Sequence, residues 1–202
     1  SDAYEIELFG NDAALFNVYD ESPAADDGND RLKIYATDET DYFLFRPQAI
    51  ISLEMDEDRQ PVENGVVERV NYDSDINSVV AVYGRAGASA FVFDKTSSLL
   101  TVYGQAGKDA FQLCQMFESP RGDNASLVPE DHFETTQTTQ GFLSNGISFS
   151  ATLFGGIGED SFTVYHNQAN LSLYGQEDDD SFVVRSFVKV DPDDPKAPFT
   201  NI

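Results

Sequence analysis

Val82-Tyr83-Gly84-Arg85-Ala86-Gly87-Ala88-Ser89-Ala90-Phe91 is followed, twenty residues later, by Val102-Tyr103-Gly104-Gln105-Ala106-Gly107-Lys108-Asp109-Ala110-Phe111. A second pair with the same interval joins Leu153-Phe154-Gly155 through Phe162 to Leu173-Tyr174-Gly175 through Phe182. Ile34-Tyr35-Ala36 through Phe43 is a weaker copy. In all five, an aromatic lies seven residues after the Gly or Ala. Leu8-Phe9-Gly10 resembles a sixth copy, but its Phe16 arrives one residue early.

Apolar residues alternate on either side of each turn: Leu100, Val102 and then Phe111, Leu113, or Leu171, Leu173 and then Phe182, Val184. Alternation is the signature of a strand with one buried face. Each repeat therefore holds two short strands, with strand starts about 11 and 9 residues apart, too close for a crossover helix. The economical fold is all-β: a right-handed parallel β-solenoid (β-roll or β-helix) with coils of about 20 residues, stacked ~4.8 Å apart. Stacking predicts a Phe column, with Phe91 over Phe111 and Phe162 over Phe182, and a second column of Tyr83, Tyr103, Phe154 and Tyr174. Both columns are read as packing. No coil buries its apolar face alone, so neighbours share stability.

Two stretches interrupt the pattern. Residues 47–79 carry an Asn64-Gly65 turn signal between β-rich runs, which predicts a hairpin or an irregular coil. Residues 117–150 separate the two clean pairs, and an extra coil plus a protruding loop with its tip at 135–140 fits that length. The expected organisation is one solenoid domain over 1–190, with 191–202 as a linker or the start of another unit.

The 202 residues suffice for one domain, or two small ones. Twelve Lys and Arg against 36 Asp and Glu leave a net charge of −24, which argues against nucleic acid as a partner. One Cys permits neither an internal disulfide nor a Cys-rich zinc site, and two His argue against a multi-His centre. No apolar run reaches the length of a membrane-spanning helix. A hydrophobic fraction of 41% with 16 Phe supplies a core. The chain opens at Ser1 without a leader and shows no convincing cap, so an excised or mature segment of a longer array is expected.

The carboxylates fall in short turns: Asp26-Asp27-Gly28-Asn29-Asp30, Thr37-Asp38-Glu39-Thr40-Asp41, Gly158-Glu159-Asp160 and Gln176-Glu177-Asp178-Asp179-Asp180. A large apolar residue follows two positions after each: Leu32, Phe43, Phe162 and Phe182. Stacked coils bring such turns together. Two carboxylates 4–5 Å apart repel by about 1 kcal/mol in water and about 4 kcal/mol at an effective dielectric near 20. A hard divalent cation between the turns reverses that sign, since calcium takes six to eight oxygens, backbone carbonyls included.

Gly155-Gly156-Ile157-Gly158-Glu159-Asp160-Ser161-Phe162-Thr163 resembles the nonapeptide G-G-x-G-x-D-x-(apolar)-x of RTX-type calcium-binding repeats. Asp27-Gly28-Asn29-Asp30-Arg31-Leu32 is similar to its second half, and Gly104 to Gln112 matches apart from Ala106 and the missing second Gly. The resemblance covers about half the chain. It implies Ca2+ held by turn carbonyls and the sixth-position Asp, here Asp30, Asp41, Asp109, Asp160 and Asp180, with Asp27 and Asp178 as further acidic ligands. The chain departs from the family where Ser89 replaces an Asp. It departs again in the opposite turns, 94–98 and 166–170, which have no matching Asp. Few and weak sites are therefore expected, with the hydrophobic core carrying more of the stability.

The expected role is structural rather than enzymatic: a calcium-responsive spacer or adhesin module of a large secreted or surface-anchored bacterial protein. Its expected partners are calcium ions, neighbouring repeats and a surface receptor or glycan. Weak sites would fold it only outside the cell. The alternatives are a β-helical carbohydrate-active enzyme, such as a polysaccharide lyase or glycosidase, and a metal-free solenoid whose acids only confer solubility. A lyase cleft needs basic or aromatic groups converging on one face, and Arg69, Arg85, Arg121 and Arg185 read as scattered. Arg121-Gly122-Asp123 is a short integrin-type match expected by chance, and Asn124-Ala125-Ser126 and Asn170-Leu171-Ser172 are glycosylation sequons. Cys114 reads as structural, and neither His132 nor His166 has a visible triad partner.

Overall fold

The computed structural model describes residues 1–20, 28–56, 62–122, 125–128, 131–190 and 200–201. Strands come in pairs along the chain. They are β1 (Ala3–Glu7) and β2 (Ala14–Val18), β3 (Arg31–Tyr35) and β4 (Tyr42–Arg46), then β5 (Ala49–Leu53) and β6 (Val67–Tyr72). Next come β7 (Val79–Tyr83) and β8 (Ala90–Phe93), and β9 (Leu100–Ala106) and β10 (Ala110–Leu113). After β11 (Met116–Phe117), β12 (Thr135–Thr138) and β13 (Gly141–Ser144) follow β14 (Ala151–Ile157) and β15 (Ser161–Val164), then β16 (Leu171–Glu177) and β17 (Ser181–Val184). The last strands are β18 (Val188–Lys189) and β19 (Thr200–Asn201).

One sheet runs β1-β3-β7-β9-β14-β16, parallel throughout, and the facing sheet runs β17-β15-β10-β8-β4-β5-β6-β2. The chain is thus all-β with long parallel sheets and stacked aromatic rows, consistent with a β-solenoid. Register follows the sequence interval: Val82 pairs with Val102, Phe91 with Phe111 and Phe162 with Phe182.

Two-residue alternation turns one set of side chains inward, and the pairing stacks like on like. Phe43, Phe91, Phe111 and Phe162 are fully buried and stack with ring centroids 5.4, 4.9 and 4.7 Å apart; Phe182 follows at 4.8 Å. Opposite them, Ile34, Val82, Val102 and Leu153 fill the inner face of the other sheet. Outside it, Tyr35, Tyr83, Tyr103, Phe154 and Tyr174 form the second column at 4.9–5.1 Å.

Both interruptions differ from a simple coil. Within residues 47–79, β5 and β6 pair antiparallel as a hairpin, one of the two expected alternatives. β5 pairs antiparallel with β4 and with β6, and β6 then carries β2 in parallel. This explains the early Phe16, which faces Val70 of β6 rather than joining the Phe column. The extra coil expected after Asp109 is not formed. β9 pairs directly with β14, and β10 with β15, so Phe111 lies against Phe162. The intervening chain builds an antiparallel sheet, β11-β13-β12-β18-β19. Of the expected loop tip, residues 135–138 are strand β12, whose Thr and Gln pair with Gly141–Ser144, and 139–140 are the turn that joins β12 to β13.

Candidate cation sites

From β8 onward, the turns entering β8, β10, β15 and β17 each present a side-chain acceptor to the turn of the preceding coil. Asp41 N–H donates to Ser89 Oγ (3.3 Å), Ser89 N–H to Asp109 Oδ1 (2.8 Å), Asp109 N–H to Asp160 Oδ1 (2.8 Å) and Asp160 N–H to Asp180 Oδ1 (3.0 Å). The result is a ladder. Ser89, at the position that Asp holds in the other coils, keeps its place as a neutral rung.

The other carboxylate oxygen explains the glycine five residues upstream. A Cβ on Gly104 would collide with Asp109 Oδ2 and with the Gly155 carbonyl oxygen. One on Gly155 would collide with Asp160 Oδ2 and sit 2.7 Å from the Gly175 carbonyl oxygen. A carboxylate oxygen and the next coil's carbonyl oxygen thus both border the space that a glycine Cβ would fill. Asp109 Oδ2 and Asp160 Oδ2 are fully buried and have no hydrogen-bond partner. Where Ala36 replaces the glycine, Asp41 Oδ2 turns instead to Thr37, accepting from its N–H (3.0 Å) and Oγ1 (2.9 Å).

Burial disfavours the charged form. It pushes the Asp109 carboxyl up to about 7, the ionised Asp160 adding to the rise while the Ser89 N–H opposes it. Burial raises Asp160 too, with Asp180 and Asp178 adding to it. Asp41 is raised by burial against the pull of its Thr37 contacts. Glu159, by contrast, is an exposed partner of Lys108 at 2.9 Å.

Of the expected ligands, Asp41, Asp109, Asp160 and Asp180 share this column. Asp178 is exposed and outside it, and Asp27 lies outside the described residues. Asp30 stands in a different column, because it precedes a strand of the first sheet. There it accepts from Asp2 N–H, while its own N–H donates to Asn77 Oδ1 (3.1 Å). Asp2, Asp20 and Asp30 form an acidic triad that could hold a metal ion, with ligand oxygens within 4.8 Å of one another. Partial desolvation and then the charges of Asp20, Asp2 and Asp30 raise the neighbouring Tyr4 phenol. The twenty-residue interval could not reveal this triad, since Asp2 and Asp30 are 28 residues apart. Glu68 was also missed: its two oxygens accept from Phe9 and Gly10 N–H at 2.9 and 2.8 Å, capping the first turn from the hairpin.

Of the arginines read as scattered, Arg69 and Arg121 lie close to the buried Arg46, whereas Arg85 pairs with Glu7 at 3.0 Å. Arg46 Nε lies 3.1 Å from Asp94 Oδ2, both side chains being buried, and its guanidinium sits 4.8 Å from the Phe133 ring centre. Arg121 stacks on Phe133 and Phe117, and Arg69 reaches Asp131 at 3.1 Å. Gln115 Nε2 donates to Asp94 Oδ2 at 2.9 Å. These contacts latch the excursion between β10 and β14 to β4, β6 and the turn after β8. Cys114 is buried, its thiol pushed up to about 12 by burial and donating to the His166 carbonyl, which fits a structural role.

No protein-family model, no curated protein and no solved structure matches the chain.

Proposed function

We propose that the chain is a structural, calcium-responsive repeat module of a secreted or cell-surface protein, serving as a stiff spacer or adhesin stalk. In this reading it is a right-handed parallel solenoid with 20-residue coils of RTX type. Its partners are calcium ions, adjoining repeats and a surface receptor or glycan. One observation carries the cation reading: Asp109 Oδ2 and Asp160 Oδ2 are buried without donors, each beside a backbone carbonyl oxygen of the next coil. Two acceptors converging in a buried place repel unless a proton or a cation stands between them. Calcium suits such a place, since carboxylates and backbone carbonyls are its ordinary ligands. The Asp2, Asp20 and Asp30 triad offers a second, more open set of oxygens.

Asp160→Asn separates a specific site from bulk charge. The amide keeps an acceptor for Asp109 N–H and turns an N–H donor toward the Gly175 carbonyl. At pH 8, above the value of about 7 for Asp109, the expected result is a variant at least as stable as the parent in EDTA. Most of the calcium-dependent rise in melting temperature should be gone. Glu159→Ala should keep that rise. Equal losses in the two variants would leave only nonspecific charge screening.

A further inference from the structure

The two sheets end on the same coil, β16 in one and β17 in the other, and there every column is cut open. Phe162 is 0% exposed but Phe182, stacked on it, is 52% exposed. Val164 is 9% exposed and Val184 79%. Tyr174, last of the outer column, is 50% exposed. The acceptor ladder likewise ends at Asp180. Among the described residues neither β16 nor β17 has a neighbour on this side. β17 (Ser-Phe-Val-Val) also has no charge, proline or bulge of the kind that guards sheet edges.

We infer that this end is a docking surface for a further parallel coil of the same pattern. That coil would set a side-chain acceptor on Asp180 N–H and an aromatic ring on Phe182. This rests on the reading of the chain as a structural repeat module and names the partner of that module. Continuity argues for it. Every preceding coil from β7 and β8 onward meets its neighbour through the same three elements: parallel pairing, ring on ring, and carboxylate or hydroxyl on N–H.

A second copy stacked head to tail does not fit. At the other end the second sheet carries two additional strands, β5 and β6, between β4 and β2, whereas β1 pairs directly with β3. That end is therefore stepped by two strand spacings, roughly 9.6 Å, and cannot seat both edges of a level face. An inverted copy would pair antiparallel and break the ring column and the ladder.

The test uses the whole chain and a synthetic peptide of residues 151–170, whose Asp160 and Phe162 would fall on Asp180 and Phe182. Amide hydrogen exchange is followed across β16 and β17 with millimolar peptide, in calcium and in EDTA. The expected result is exchange slowed by about tenfold at this edge, with no change at β1, and loss of the effect in Val184→Asp. Circular dichroism checks that this variant retains its fold. Unchanged exchange in the folded parent overturns the inference. So does sedimentation of the chain as a dimer that already protects the edge. Protection that persists in EDTA, in a chain without any calcium response, would sink the calcium reading and leave the docking surface standing.

Discussion

Phe111→Ala should destabilise the chain by about 3–5 kcal/mol in urea unfolding, the usual cost of truncating a fully buried Phe. Its ring lies between those of Phe91 and Phe162, at 4.9 and 4.7 Å, and is 1% exposed. Removing it takes away two stacking contacts and leaves a cavity inside the column, with no mobile neighbour to fill it. Phe182→Ala is the matched control. It removes the same side chain from the same column where only one neighbour exists and half the ring faces water. Its loss should be well under half as large. Equal losses would mean that the column does not end at Phe182.

Asp94→Ala should cost a similar amount, about 3–5 kcal/mol, for a different reason. Asp94 is 0% exposed and faces Arg46, itself 6% exposed. Burial raises the Asp94 carboxyl and lowers the Arg46 guanidinium, and each opposes the shift of the other. Deleting the carboxylate strands a buried cation close to Arg121 and Arg69. The double change Asp94→Ala with Arg46→Met should recover most of the loss, because an apolar pair of fitting volume removes the uncompensated charge. A double variant as unstable as the single one would show that the damage comes from lost packing or from the Gln115 hydrogen bond.

The stacking was legible in the sequence because its determinants are local. A Gly, an acceptor five residues on and a Phe two further fix a turn, a rung and a core ring, and the interval of twenty then sets the register. The Gly column was visible, although its cause was not. The structure puts a carboxylate oxygen where a Cβ would be at Gly104, Gly155 and Gly175. The hairpin between β4 and β7 was legible as a hairpin from Asn64-Gly65, but not its place between β2 and β4, which depends on pairing across the whole first coil. The same holds for the direct contact of β10 with β15. An interval of 51 residues has room for two coils of 20 with 11 residues over, and only the antiparallel pairing of β11, β12 and β13 shows that the chain leaves the stack and returns to the same level. The meeting of Arg46 and Arg121 on Phe133, with Arg69 reaching Asp131 beside it, depends on both excursions at once, so no local pattern announces it.

Calorimetric titration of the intact chain with calcium at pH 8, paired with thermal melts in calcium and in EDTA, bears most directly on the proposed role. The expected outcome is saturable heat of binding at millimolar calcium and a higher melting temperature than in chelator. A flat titration, with superimposable melts in the two buffers, would contradict it and leave an acidic solenoid that holds together without metal.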